Sequence, residues 1–162
     1  MTAQPALAFA SVKRERTHLP DRAVYEAAIR DAVRAALRAY PDDCVEVSEG
    51  RNEADSDVWG MEVQPTNPAA APVYVSYWGT DEVDLGLGET HLYVWDADPA
   101  ALAEEIQEVL GAVFAGAVEE SGVPGDSTAR ILTPSGRRLT VGSVSLPIPW
   151  RWRRVRRYAP LA

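Results

Sequence analysis

Val73–Trp95 reads VYVSYWGTDEVDLGLGETHLYVW, and the alternation of apolar and polar residues along it decides the fold. Three stretches, Val73–Trp78, Glu82–Leu87 and Thr90–Trp95, change character at every residue, as strands with two unlike faces do. Gly79–Thr80–Asp81 and Gly88–Glu89 separate them, and a two-residue Gly-X connection suits a type II′ hairpin. The stretch therefore predicts an antiparallel meander. Its period of two places Val73, Val75, Tyr77, Val83, Leu85, Leu87, Leu92 and Val94 on a core side. Tyr74, Ser76, Trp78, Glu82, Asp84, Gly86, His91, Tyr93 and Trp95 fall on the other side.

Upstream, Cys44–Glu49 and Asp57–Gln64 alternate in the same way. They are expected to add Val45, Val47, Trp59, Met61 and Val63 to the core side, and Glu46, Ser48, Glu62 and Gln64 to the outer side. Between Pro20 and Pro41, Tyr25, Ile29, Ala32, Val33, Ala36 and Tyr40 follow helical spacing, while Arg22, Glu26, Arg30, Arg34 and Arg38 recur in steps of four on the opposite face. A second helix is signalled by Asp98 as N-cap and Pro99 at its first position. Leu102, Ile106, Val109, Leu110, Val113 and Ala117 form its apolar stripe, with Gly122 as a terminator. A last hairpin is expected from Thr128–Thr133 and Arg138–Leu146 about the turn Pro134–Ser135–Gly136. The fold class is α+β in the order α-β-β-β-β-β-α-β-β, an antiparallel sheet with both amphipathic helices on one face. Residues 1–162 form a single domain, with an N-terminal arm at 1–19 and an Arg/Trp-rich tail at 147–162.

Charge is segregated along this order. The net charge is −8, yet residues 41–126 hold twenty acidic groups against one basic, and residues 127–162 hold eight arginines and no acid. Fifteen arginines against one lysine, in an alanine-rich chain, match the codon bias of a GC-rich bacterial genome. A lone cysteine, Cys44, allows no internal disulfide, which fits a reducing compartment. No apolar run approaches the roughly 20 residues of a membrane span, and the basic residues Lys13, Arg14 and Arg16 follow the apolar stretch instead of preceding it as in a secretory signal. A cytoplasmic location is expected.

No catalytic or metal-binding signature emerges, and no cofactor is expected. His91 with Asp84 or Glu82 on the neighbouring strand could make an oriented imidazole, but no serine or cysteine motif supplies a nucleophile. His18 sits in the arm. Asp55–Asp57 and Asp96–Asp98 lack the longer oxygen-ligand series of a calcium loop, and Asp98 already starts a helix. Gly86–Leu87–Gly88 lies between strands, whereas a phosphate cradle runs into a helix. Cys44 has no basic neighbour in sequence to lower its pKa.

What remains is the outer face. Tyr74, Trp78, Glu82, Asp84, Tyr93 and Trp95 mix rings with carboxylates. Such a face is open to three readings: an ordinary wet sheet surface, a binding surface for a basic partner, or a seat for the chain's own tail. The tail (Trp150, Arg151, Trp152, Arg153, Arg154 and onward) has a composition that stacks on bases or anchors at membranes. The strongly acidic body would repel both polyanions, so docking on the chain itself or forming an edge strand is favoured over nucleic acid or membrane.

The sequence resembles the small, acidic α+β immunity proteins that bacteria encode beside secreted toxins. The likeness spans residues 73–120 and rests on size, acidity, the meander ending in Gly88–Glu89–Thr90–His91–Leu92, and Asp98–Pro99 with the helix running to Gly116. It implies a protein without enzymatic activity that binds and blocks a toxin, often a basic nuclease. The arginine-rich ending departs from that pattern. The chain is also similar to bacterial secretion chaperones, small acidic α+β proteins that usually work as homodimers, although those end in a helix after the sheet. The expected function is thus a non-enzymatic protein-binding role of immunity or antitoxin type, with a dimeric secretion or assembly chaperone as the alternative.

Overall fold

A computed structural model describes residues 21–52, 57–80, 82–123, 126–142 and 154–162. The expectations for the arm at 1–19, for His18, for Asp55 and for Trp150, Arg151, Trp152 and Arg153 lie outside the described residues.

Helix α1 (Arg22–Leu37) begins where the Asp21 carboxylate accepts the Ala23 N–H, satisfying one of the unpaired amides of a first turn. Tyr25, Ile29, Ala32, Val33 and Ala36 are buried, as the spacing predicts. Its polar face is pinned by ion pairs: Arg22 Nε to Glu26 at 2.8 Å, Arg51 to the same Glu26 at 2.9 Å, and a bidentate Arg30–Glu49 contact at 2.5–3.0 Å. Glu49 also accepts the Trp59 indole N–H at 3.2 Å. These contacts clamp the helix to the sheet.

Strands β1 (Val45–Arg51), β2 (Trp59–Pro65), β3 (Val73–Tyr77), β4 (Glu82–Leu87) and β5 (Thr90–Trp95) form an antiparallel meander in chain order. Parity is as expected: Trp59, Met61, Val63, Val73, Val75, Tyr77, Val83, Leu85, Leu87 and Val94 are buried and Leu92 is half-buried. Each such aliphatic side chain taken out of water contributes roughly 1.5–3 kcal/mol. Tyr77 stacks on Tyr25 with ring centroids 5.7 Å apart. Val47 does not follow the rule. It is 45% exposed, because β1 is an edge strand, exposed from Glu46 onward, and α1 meets it through the ion pairs at Glu49 and Arg51 without covering Val47.

Helix α2 (Pro99–Phe114) packs along α1 and opens with the Asp98 carboxylate accepting the Ala100 N–H. It stops earlier than the sequence suggests. Gly116, at φ +73°, terminates it with Ala117 outside, and Gly122 belongs to a strand. That strand, β6 (Val118–Val123), joins β7 (Asp126–Leu132) and β8 (Arg138–Gly142), so the expected C-terminal hairpin is part of a separate sheet of order β8-β7-β6-β9. Strand β9 (Arg154–Arg157) is the tail itself, paired antiparallel with β6 and with Arg157 held by Glu119 at 2.8 Å. Beyond it, Ala159 bridges Ala70, the Leu161 N–H reaches the Phe114 carbonyl, and Tyr158 and Leu161 are buried. The described part of the tail therefore docks on its own chain, as an edge strand.

A buried polar cluster binds the two sheets together. Glu120 of β6 accepts the Glu89 N–H (3.1 Å), Thr90 Oγ1 (2.5 Å) and Ser127 Oγ (3.2 Å) on one oxygen, and the Tyr158 hydroxyl (2.6 Å) on the other. Four donors replace the water that a buried carboxylate would otherwise lack. Burial, with the adjoining Glu120 carboxylate, pushes the Tyr158 phenol up to about 12. Gly88, at φ +65°, is required here: a Cβ would lie 2.0 Å from the Tyr158 oxygen. Among the described residues no helix is long and apolar enough to cross a membrane.

Candidate protein-binding face

The register of the meander assembles its outer face in rows. One row crosses all five strands as Ser48, Glu62, Tyr74, Gly86 and His91, and the next as Gly50, Gly60, Ser76, Asp84 and Tyr93. Glu82 sits opposite Trp95 at the end of β4. The glycines make room for rings. A Cβ on Gly60 would lie 3.2 Å from the Tyr74 hydroxyl, and one on Gly86 would meet Tyr74 and His91. Tyr74 thus leans along the sheet over Gly60.

Tyr74, Tyr93 and Trp95 are 41%, 53% and 68% exposed, and Trp78, one residue past β3, is 43% exposed. The rings are in solvent while Val94 beneath them is sealed. Asp84 differs from the expectation of a displayed carboxylate. It is only 7% exposed, and His91 Nδ1 lies 3.0 and 3.1 Å from its two oxygens. Ser76, its cross-strand neighbour, is buried as well. Asp84 orients His91 rather than facing a partner directly. Arg154, the one described residue of the run Trp150–Arg154, lies in β9 of the other sheet.

Most carboxylates around the rings meet no arginine among the described residues. Glu26, Glu49, Glu105, Glu108 and Glu119 each meet an arginine. Among the described residues no arginine pairs with the exposed Glu46 and Glu62, the half-buried Glu82, or with Asp96 and Glu104 at the start of α2. The paired arginines among the described residues lie on α1, in β1, at the β8 turn and in β7 and β9, and none of them offsets the charge beside the aromatic face.

The Asp84–His91 pair has the geometry that fixes an imidazole tautomer, and a cleft lined by Thr90, His91, Tyr93, Ser127 and Thr140 adjoins it. Two hydroxyls of that cleft are engaged elsewhere: Thr90 and Ser127 donate to Glu120. Among the described residues Asp84 orients His91 and no hydroxyl or thiol bonds to it. Asp96 caps the Asp98 N–H, a structural use for half of that Asp-x-Asp pair. Cys44 is buried at the start of β1.

Sequence reasoning missed the Glu120 cluster. Its one visible trace is Thr90, a hydroxyl at an inward position of THLYVW. Compared with protein-family models, with curated proteins and with solved structures, the chain finds no match.

Proposed function

We propose that this protein is a non-enzymatic binding protein of the immunity or antitoxin kind, which engages a basic protein through the outer face of its meander. One observation supports this reading above the rest: Tyr74, Tyr93 and Trp95 stand exposed on the sheet among carboxylates that pair with no arginine among the described residues. Tyrosine and tryptophan supply large contact area at low entropic cost and dominate interface energetics. Unpaired carboxylates around them steer a basic partner and speed its association. A second copy of the chain would bring the same negative face, so charge opposes self-pairing through it.

The experiment is capture by the immobilised protein of the product of its neighbouring gene, at low and high salt, with Glu62→Lys/Glu82→Lys alongside. Binding that weakens at least tenfold with the double reversal and with salt supports the reading. Binding indifferent to both overturns it.

A further inference from the structure

Among the described residues no strand pairs with the outer side of β5, the last strand of the meander, and its hydrogen-bonding parity follows from the register. The Gly88 N–H bonds the Pro72 carbonyl at 3.0 Å. Hydrogen-bonded pairs alternate along an antiparallel ladder, so Tyr74/Gly86 and Ser76/Asp84 are the bonded pairs of β3 and β4. Val83, Leu85 and Leu87 then turn their main-chain groups to Val94, Leu92 and Thr90. His91, Tyr93 and Trp95 are left directing N–H and C=O away from β4, to the free edge. No residue among those described bonds these groups.

That edge borders a groove. Strand β8 packs against β5 near Thr90 and Gly142 without pairing to it, and two adjoining clefts of about 510 and 520 Å³, sharing Leu92 and Tyr93, open between residues of the two strands. Leu92, Val94, Ala101 and Leu139 make one cleft partly apolar, while Asp96, Glu104, Glu105 and Glu108 make it acidic. Arg137 meets only Glu105 and Glu108. The edge carries none of the proline, lysine or bulge that proteins use to guard an open strand. The acid along it repels a second copy and attracts a cationic chain.

We propose that the partner supplies an extended segment of alternating basic and apolar residues that pairs with β5 as a sixth strand of the meander. The proposal rests on the reading that this face binds a basic protein, and adds how the contact is made. Main-chain bonds to His91, Tyr93 and Trp95 hold the segment, one set of its side chains lies beside the rings, and the other enters the groove toward Asp96 and Glu104.

The probe is an acetylated, amidated eight-residue peptide of alternating lysine and valine, with a Glu/Val peptide as charge control. A third peptide, N-methylated along one edge, keeps charge and shape but cannot complete the ladder. Titration is followed by Trp fluorescence and by amide exchange at residues 91, 93 and 95. Strand addition predicts binding of the Lys/Val peptide, at least tenfold loss on N-methylation, and slowed exchange at these three amides. His91→Pro, which removes an outward N–H, should weaken binding more than His91→Ala. Equal binding of the parent and N-methylated peptides, without amide protection, overturns strand addition while leaving the charged face intact. No preference for Lys/Val over Glu/Val removes both.

Discussion

Replacing Tyr158 by Phe removes a single oxygen from the cluster that joins the two sheets. The ring keeps its buried seat, so no cavity opens, but one Glu120 oxygen loses the 2.6 Å donor described above. A hydrogen bond to a charged group contributes about 1.5–3 kcal/mol, which sets the expected loss near 2 kcal/mol. With a urea m-value of roughly 1–3 kcal/mol/M for small proteins, the unfolding midpoint should drop by about 1 M with m unchanged. The same oxygen carries a pH signature. Its folded pKa, about 12, lies above the ordinary 10.0. Between these values the unfolded chain gives up a proton that the native state keeps, so stability falls as pH rises through that window. The difference between wild type and Tyr158→Phe should therefore be full below pH 10 and close as the pH approaches 12. Urea unfolding at a series of pH values measures it directly. A loss below about 0.5 kcal/mol, or a difference that stays constant from neutral pH to pH 12, would refute the account of Glu120 as a carboxylate saturated by this donor.

Gly88→Ala forces a Cβ against the Tyr158 hydroxyl and holds a non-glycine residue at φ +65°; thermal unfolding should show a loss of about 3 kcal/mol, combining the left-handed backbone cost with the displaced hydrogen bond. Tyr93→Ala and Trp95→Ala, by contrast, should shift stability by no more than about 0.5 kcal/mol, and a larger loss in chemical denaturation would mean that these rings serve the core. Glu49→Gln tests the clamp on α1. The Arg30 hydrogen bond, aided by the Trp59 N–H, holds the Glu49 carboxyl below its usual range. Its contribution is present above about pH 4.5 and is lost as pH falls through the lower folded value, so acid unfolding of the variant should lack that component. Size-exclusion chromatography with light scattering at micromolar concentration should return a monomer; a stable dimer would favour the chaperone alternative.

The meander was legible because its signals agree. In Glu82–Leu87 and Thr90–Trp95, alternation, β-branched residues and a Gly-X turn at φ +65° all point the same way, and both strands match their predicted bounds. The exposure of Tyr93 and Trp95 follows from that parity alone. The start of α2 was equally clear at Asp98, where a short side chain precedes the helical pattern, whereas Pro20 and Pro41 bracketed α1 and left its cap at Asp21 unread. Strand β6 escaped, and β9 was foreseen only as an edge strand open to the tail, without its bounds or its partner. VEESGV buries Glu120 and RVRR exposes all four of its residues, so neither shows an apolar face. The pairing of β6 with β9 joins partners more than thirty residues apart, such as Glu119 and Arg157, and local pattern carries no trace of such a match. Val47 failed differently: its strand has the right alternation, but only the position of β1 at the sheet edge decides that nothing covers it.

The stitching of Tyr158–Leu161 to β6, to Ala70 and to the end of α2 bears on how the molecule emerges during synthesis. The hairpins of the meander close between neighbours and can zip as they appear, yet the seats for Tyr158 and Leu161 stay vacant until a ribosome has delivered almost everything described here. A nascent chain stalled before residue 158 would display Glu120 without its phenol and Phe114 beside an unfilled gap, a half-finished surface for chaperones to hold. Maturation then turns on a late, long-range closure rather than on the early local pairing that dominates the sequence.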